Sequence, residues 1–507
     1  MSFTNTLRQL FGSTPGPSRV RNHRGSGASR RVQSRKMTLE SLERREVFST
    51  DLLFALAIGN DTGSSLARDV ASDSAGNSYM AGSFSGTVDF DPAATHPGDK
   101  DILTSRGVSD AYVAKYAPDK SLIWAIRMGG DSTTSAGFGA DDRAASLSVD
   151  SNGNVYVTGQ YMGASDFGSQ PLTTAGDLDA FVVKLNSSGA VQWANRWGGT
   201  VNNAGHSVDV DHNGNVLVLS LNLGAAGTDI LKFNSSGVNV WSKYVDNAGF
   251  NTGDLAVDPA GNVVVVGTFQ GHVDFDPGPR TNWQWDGAGS SAGYVLSLNS
   301  QGNFRWVSVF QGPVSSKSWA TEVALDSIGN IVVGGIYRGQ VDFNPGRGIT
   351  RLTSGGFESG GAYVTKLNSK GGLVWARSLD SSGSLSGSTG VNVSGLAIGV
   401  DNSIFVTGFF DGTTDFDPGT SNVLRTTAGL SDGYLLNLTS AGNFGWVETF
   451  GGTLGDAVTG VSVDPSGTIH LAGSFSGTVD FNPGLDEENL TSPGTFRTSF
   501  LVRLRRR

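Results

Sequence analysis

"AVDPAGNVVVVGTFQGHVDFDPG", residues 256–278, holds two Val-rich runs on either side of "DPAGN". Pro presets φ and Gly supplies a positive φ there, as a tight hairpin turn requires. A second pair of strand-like runs, joined by "NSSG", occupies "DAFVVKLNSSGAVQWANRWGG" at 179–199. The expected unit is therefore four strands, made of two hairpins in succession.

The first hairpin tip recurs along the chain. It reads "DSAGN" (Asp73, Gly76), "DSNGN" (Asp150, Gly153), "DHNGN" (Asp211, Gly214), "DPAGN" (Asp258, Gly261), "DSIGN" (Asp326, Gly329), a shortened "VDNS" (Asp401) and "DPSGT" (Asp464, Gly467). These seven copies lie about 65 residues apart on average. Common four-stranded repeats run to about 40–50, so the surplus falls in loops. The second hairpin carries Trp124, Trp193, Trp241, Trp306, Trp375 and Trp446 at one equivalent position, six tryptophans for seven first hairpins.

The missing copy is explained at the two ends. "TSFLVRLRRR", 498–507, aligns with "DAYVAKY", 110–116, the third strand of a unit. "LLFALAIGN", 52–60, matches "LIWAIRMGG", 122–130, a fourth strand, with Phe54 in the place of Trp124. Pairing the two ends would complete the last unit and leave no open sheet edge there. The expected fold is all-β: a seven-bladed β-propeller of four-stranded antiparallel blades, closed by an N-terminal strand that completes the last blade. Its expected span is 51–507, behind a leader at 1–50.

The motifs "GNVYVTG" (153–159), "DAFVVKL" (179–185) and "VQWA" (191–194) resemble those of the bacterial seven-bladed β-propeller repeat family. The resemblance runs over 52–507. It implies the same fold, and it implies an exported or surface protein without naming a ligand.

Residues 1–50 hold ten Lys/Arg against three acids, a net charge of +7, which leaves −17 for the rest of the net −10 chain. A basic, apolar-poor leader contributes nothing to a core. Within it "MTLESLERREVFS", 37–49, resembles the Leu-Glu-x-x-Glu-Arg-Arg leader motif of large exported bacterial proteins. Ser41 and Leu42 stand where that motif often has proline. The expected location is extracellular or at the cell surface. An acidic body repels phosphate, so nucleic acid is not an expected partner.

Composition narrows the rest. With 72 glycines in 507 residues and only 16% charged residues, the chain suits many tight turns rather than charged helices. No run of 18 apolar residues is present, so no helical membrane span is expected. The absence of cysteine excludes disulfides and thiolate metal sites.

One repeated element invites a chemical reading. "VDFDPA" (Asp89, Asp91), "VDFDPG" (Asp274, Asp276), "VDFNPG" (Asp342, Asn344), "TDFDPG" (Asp415, Asp417) and "VDFNPG" (Asp480, Asn482) follow the second strand of their units, with a degraded "SDFGS" (Asp166) in the second. Alternation puts the two oxygen-bearing side chains on one side and Phe on the other. The pair could contribute to a Ca²⁺ shell, which wants six to eight oxygens. Alternatively the Asp or Asn before Pro-Gly caps a turn by bonding the backbone two residues on, while Phe anchors the loop in the blade.

These loops are expected on the face of the central channel mouth, together with the connections 129–143, 311–320 and 379–394. Trp283, Trp285 and Trp319 are expected in loops there, as candidate contacts for a partner. The six repeat tryptophans are read as packing between blades. The histidines show no metal-ligand spacing, and no serine nucleophile elbow occurs. Two functions follow. One is a monomeric binding or scaffold propeller, not an enzyme, that takes a protein or glycan at the cell surface. The other is a polysaccharide hydrolase or lyase, whose acids would converge at the channel mouth.

Overall fold

A computed structural model describes residues 50–92, 102–131, 142–168, 170–224, 227–246, 253–287, 291–354, 360–382, 390–482, 487–493 and 497–507. The chain divides into two compact units, Met1–Glu46 and Val47–Arg507. The leader and its motif at 37–49 lie outside the described residues apart from Thr50, as do most of the connection at 129–143 and part of that at 379–394. Everything below concerns the second unit.

The described residues form antiparallel β-sheets and contain no helix. Strands pair in successive groups of four. The fourth group, for example, is Gly253–Val257, Val263–Phe269, Ala292–Leu298 and Phe304–Phe310, paired in that order. Groups one to three begin at Gly63–Ser72, Arg143–Val149 and Asn203–Val210. Groups five to seven begin at Lys317–Leu325, Gly395–Ile398 and Ala457–Val463. The first strand of each group lies against the first strand of the next, and that of the seventh lies against that of the first.

The third strands Asp110–Tyr116, Ala292–Leu298, Gly361–Leu367 and Asp432–Leu438 are buried at every residue, because sheets cover both faces. Alternation decides which neighbour each side chain meets. Val263 and Val265 pack with Leu217 and Leu219 of the third group, while Val264 and Val266 pack with Ile331 and Val333 of the fifth.

The repeated Asp and Asn of the first hairpin are turn residues. Asp258 Oδ1 accepts the N–H of Ala260 at 2.9 Å and of Asn262 at 2.8 Å, and Oδ2 accepts Asn262 Nδ2 at 2.7 Å. Gly261 takes φ +78°. In the shortened copy Asn402 takes that left-handed conformation, φ 61°. Asn186 and Asn234 cap the second hairpin in the same way through Oδ1.

The repeat tryptophans reach across to the next group. Trp124 Nε1 donates to the carbonyl of Ser187 at 3.1 Å, Trp193 to Ser235 at 3.2 Å, Trp241 to Ser300 at 3.1 Å and Trp375 to Ser440 at 3.2 Å. The indole of Trp124 lies on Gly189, where an added Cβ would come within 2.9 Å of the ring. Glycine is required there by the close approach as well as by its φ of +82°.

Thr50–Ile58 pairs antiparallel with Thr498–Arg506, from Thr50 opposite Arg506 to Ile58 opposite Ser499. It is the fourth strand of the seventh group. An Asp51–Arg507 ion pair joins the same two strands. Thr459 Oγ1 donates to the Ala67 carbonyl at 3.0 Å and the Ser499 N–H to Ser65 Oγ at 2.9 Å, which ties the seventh group to the first.

Candidate functional site

The "DFDPG" elements form short hairpins between the second and third strands of their groups. In the fourth group His272–Asp274 pairs with Trp283–Trp285. The Phe between the two polar residues is fully buried and completes an aromatic triangle. Phe275 lies 5.2 Å from Phe269 and 4.8 Å from Tyr294, centroid to centroid. Equivalent triangles surround Phe90, Phe167, Phe343, Phe416 and Phe481. The third group, which lacks the motif, has none among the described residues.

The first Asp of each element caps its own hairpin. Asp274 Oδ1 accepts the N–H of Asp276 at 3.1 Å and of Asn282 at 2.6 Å. Asp342, Asp415 and Asp480 repeat both bonds, to Asn344 and Thr350, Asp417 and Val423, and Asn482 and Glu488. Asp89 Oδ1 accepts from Asp91 N–H at 2.9 Å. Asp276 and Asp417 each accept the N–H of the glycine two residues on, at 2.8 Å. Oxygens aimed at amide N–H groups, with Asn in two of five copies, fit a turn and fit a Ca²⁺ shell poorly. Among the described residues no group of three acidic or histidine side chains is placed to hold a metal ion.

The hairpins lie with the connections between groups, as expected. They pack on the ends of the preceding group's fourth strand: the Asp342 N–H donates to the Gln311 carbonyl at 2.8 Å, and Asp380–Ser382 pairs with Thr413–Asp415. They therefore cover seams between groups, and none lines the central cavity described below.

Trp283 and Trp285 belong to a strand rather than a loop, at alternate positions on its exposed side, 61% and 49% exposed. The His272 ring stacks on Trp285 from the paired strand, 5.9 Å between centroids at 25°. Ile102 and Thr104, Arg351 and Thr353, Leu424 and Thr426, and Asn489 and Thr491 hold these two exposed places in the other hairpins. Only the fourth group puts two indoles there among the described residues. Trp319 is placed differently from the expectation: it lies within the innermost strand Lys317–Leu325, opposite Ile336 and half-buried.

A second site was not located by residue from the sequence. The seven first strands enclose a polar cavity of about 240 Å³, to which every group contributes. It continues into a wider space of about 390 Å³ that shares Arg68, His206 and Glu322 and adds Arg143. Several of these strands carry a register shift that inserts one extra residue: Arg68, Ala145, His206, Thr321 and Thr459. A bulge re-aims its side chain, and all five line the wider space.

Four carboxyls line the same enclosure. Asp69, Asp209 and Asp254 each accept the N–H of their own following residue at 2.8 Å and, through Oδ2, an N–H of the next group at 2.9 Å: Leu147, Val257 and Val323 respectively. They clamp neighbouring innermost strands together. Burial pushes the Asp69 and Asp209 carboxyls up, and Asp254 up to about 7. Glu322 is raised well above the usual range, first by burial and then by Asp254 and Asp69. Burial, then Arg143 and Arg68, lowers His206 to about 4. The four carboxyls and His206 are each partly exposed, and Arg68 is exposed. The available signal was the charged residues within the first strands of the units, as in "LARDV", "GHSVDV" and "WATEVAL".

No family model matches the chain. An uncharacterised WD repeat-containing protein of Acanthamoeba polyphaga mimivirus is 23% identical over 382 residues, covering 61% of this chain and 26% of that one. The chain thus spans about a quarter of the curated relative it matches. Among solved structures, a chain of a mitotic checkpoint complex aligns at TM-score 0.43 with 10% identity, over 95% of this chain and 98% of that one. A polysaccharide lyase of an ulvan lyase family aligns at TM-score 0.37 with 11% identity, over 80% of this chain and 97% of that one. The four-stranded antiparallel repeats and the distant WD-repeat relative agree on an all-β repeat protein of the β-propeller kind.

Proposed function

We propose that the chain is a seven-bladed β-propeller closed by its own first strand, and that it acts as an exported, cell-surface binding module. Its bound partner is a glycan taken on the exposed aromatics of the fourth hairpin. The pairing of Thr50–Ile58 with Thr498–Arg506 and the cyclic contacts of the first strands support the closed form. The leader motif supports export.

The observation that carries the binding reading is the departure from repetition at Trp283 and Trp285. Repeated residues serve the repeat, whereas two exposed indoles at places held elsewhere by Ile, Thr, Arg, Leu or Asn serve nothing in the blade. Alternate residues of one strand face lie about 6–7 Å apart. Two indoles at that spacing, with the His272 ring stacked on Trp285, present an exposed apolar surface of the kind a sugar ring covers with its C–H face.

The test is calorimetric titration of the full chain with a panel of soluble polysaccharides, repeated on Trp283→Ala and Trp285→Ala. Binding lost in both variants, at an unchanged melting temperature, supports the reading. Binding that survives both, or that requires a protein partner instead, overturns it.

A surface hydrolase or lyase is the second reading, favoured by the carboxyls in the central cavity. Asp69, Asp209 and Asp254 already accept two main-chain N–H groups each, so among the cavity carboxyls Glu322 is the one without such bonds. That is one group short of the two such cleavage employs.

A further inference from the structure

The third group departs from the repeat in a concerted way. Only residues 223–226 separate its second and third strands, Val216–Asn222 and Gly227–Phe233, where 270–291 separate those of the fourth group and hold its hairpin. With the hairpin goes its buried Phe. The two aromatic partners of that Phe are gone as well. Strand register puts Asn222 in the place of Phe269 and Asp229 in the place of Tyr294, and each of the other groups has Phe or Tyr at both places. Loss of a hairpin alone would leave an apolar hollow beside two rings. Here the hollow is polar.

A pocket of about 370 Å³ occupies this seam between the second and third groups, lined by Arg196, Trp197, Val201, Asn203, Asn222 and Asp229. Trp197 holds the place of Met128, Phe310 and Phe450, which are almost fully buried, yet it is only half-buried. Its Nε1–H donates to the Asp229 carboxyl. The Arg196 guanidinium is paired with Asp179 at 2.8 Å. One wall atom has no partner. Asn203 stands where the second group has Asp142 and the seventh Asp456. Asp142 accepts the N–H groups of Gly130 and Met162, both at 2.8 Å, and Asp456 those of Gly452 at 2.8 Å and Ser476 at 3.0 Å. Asn203 is 3% exposed and its Oδ1 accepts no hydrogen bond. That oxygen lies beside Gly198, another wall residue, since an added Cβ there would stand 3.3 Å from it. A buried acceptor left without a donor costs stability, and a bound hydroxyl would supply one.

We propose that this pocket binds a single neutral sugar ring, its hydroxyls bonded to the Asn203 amide and the Asp229 carboxyl and its C–H face on the Trp197 indole. Hydroxyls both donate and accept, which suits an amide beside a carboxyl; an ammonium would leave the amide oxygen and nitrogen unequally served, and an anion would face Asp229. An indole with one apolar face and a polar edge suits a ring of the same character. A volume of about 370 Å³ lies at the lower end of the range for small-ligand sites. The pocket is separate from Trp283 and Trp285 and stands whether or not they bind a glycan.

The test uses the full chain in thermal unfolding and calorimetry at neutral pH. The probes are free neutral hexoses and deoxyhexoses, with propylamine and propionate as charged controls. A sugar that binds only the folded form raises the melting temperature with its concentration. The expected result is such a rise for at least one sugar and none for the controls. Asn203→Ala and Asp229→Asn should each weaken its binding about tenfold or more, the factor such a hydrogen bond carries. Trp283→Ala should leave it unchanged, which separates this site from the fourth hairpin. Asp229 is partly exposed and its variant keeps the side-chain shape, so it maintains the test if Asn203→Ala folds poorly. The proposal is overturned if no sugar gives a shift at millimolar concentration, if propylamine or propionate matches the best sugar, if the folded variants retain full affinity, or if binding is lost in Trp283→Ala instead.

Discussion

Arg503 Nη1 donates to the Pro118 carbonyl at 2.7 Å, the place in the first group where other groups receive a tryptophan Nε1–H. The tryptophan is absent at this seam because Phe54 occupies its position. The Arg503 guanidinium lies over the Phe54 ring, 5.7 Å from its centroid, and 4.0 Å from Asp464. Arg503→Met should therefore lower stability by about 3 kcal/mol, since it breaks a buried ion pair as well as the seam bond. Adding Phe54→Trp to that variant supplies an indole donor and should restore about 1 kcal/mol. Urea unfolding of the three proteins checks this, and no recovery in the double variant would show that the indole does not reach Pro118.

Strand order at the chain ends yields a second prediction. A circular permutant that moves residues 50–60 behind Arg507 through a short Gly/Ser linker keeps every pairing of Thr50–Ile58 with Thr498–Arg506. Its melting temperature should stay close to that of the parent. Deleting 50–60 outright exposes the edge of Thr498–Arg506 and should lower the melting temperature strongly. Equal behaviour of permutant and deletion would refute closure by this strand.

The hairpin carboxylates separate a capping role from a cation role. Asp274→Asn keeps an oxygen for both N–H donors and should change stability by less than about 0.5 kcal/mol. Asp274→Ala leaves two amides without their acceptor and should cost about 1–3 kcal/mol. Millimolar Ca²⁺ should leave the melting temperatures of parent and Asn variant alike. A calcium-dependent rise in the parent alone would reinstate an ion at these loops.

Glu322 makes stability depend on pH in a stated direction. Its folded carboxyl holds the proton more tightly than the unfolded one, whose ordinary value is 4.5. Ionisation is thus a cost borne by the folded form, absent in acid and growing as pH rises above that value. Glu322→Gln removes the cost, so its melting temperature should match the parent near pH 4 and exceed it increasingly toward pH 8. His206 works in the opposite sense, its depressed value making acid destabilising below the unfolded value of 6.5. It is present in both proteins and cancels in the difference. A gap between them that is constant with pH would mean Glu322 ionises normally.

Much of this was legible in the residues alone. The "DxxGN" turns, the period-2 valines and the indole of six fourth strands recur at fixed places, so each reports on contacts within a few residues or with the next copy. The match of 52–60 to 122–130 was enough to assign the strand partner of Thr498–Arg506. The hairpins were placed with the connections between units, whereas alternation says which side a residue faces and not which neighbour lies there. Trp319 looked like a loop residue because polar, small side chains precede it in "VSSKSW". It is held instead by strand pairing to Ile336.

Local repetition determined the four-stranded unit and its turns, since hairpin geometry depends on residues close together in the chain. The tertiary structure decided what the innermost strands face. Arg68, Arg143, His206, Asp254 and Glu322 come from five groups spread over some 250 residues, and each is an ordinary strand residue in its own copy. They share a cavity only because register shifts turn some of them inward and because the strands stand around a common centre, a juxtaposition that no local pattern encodes.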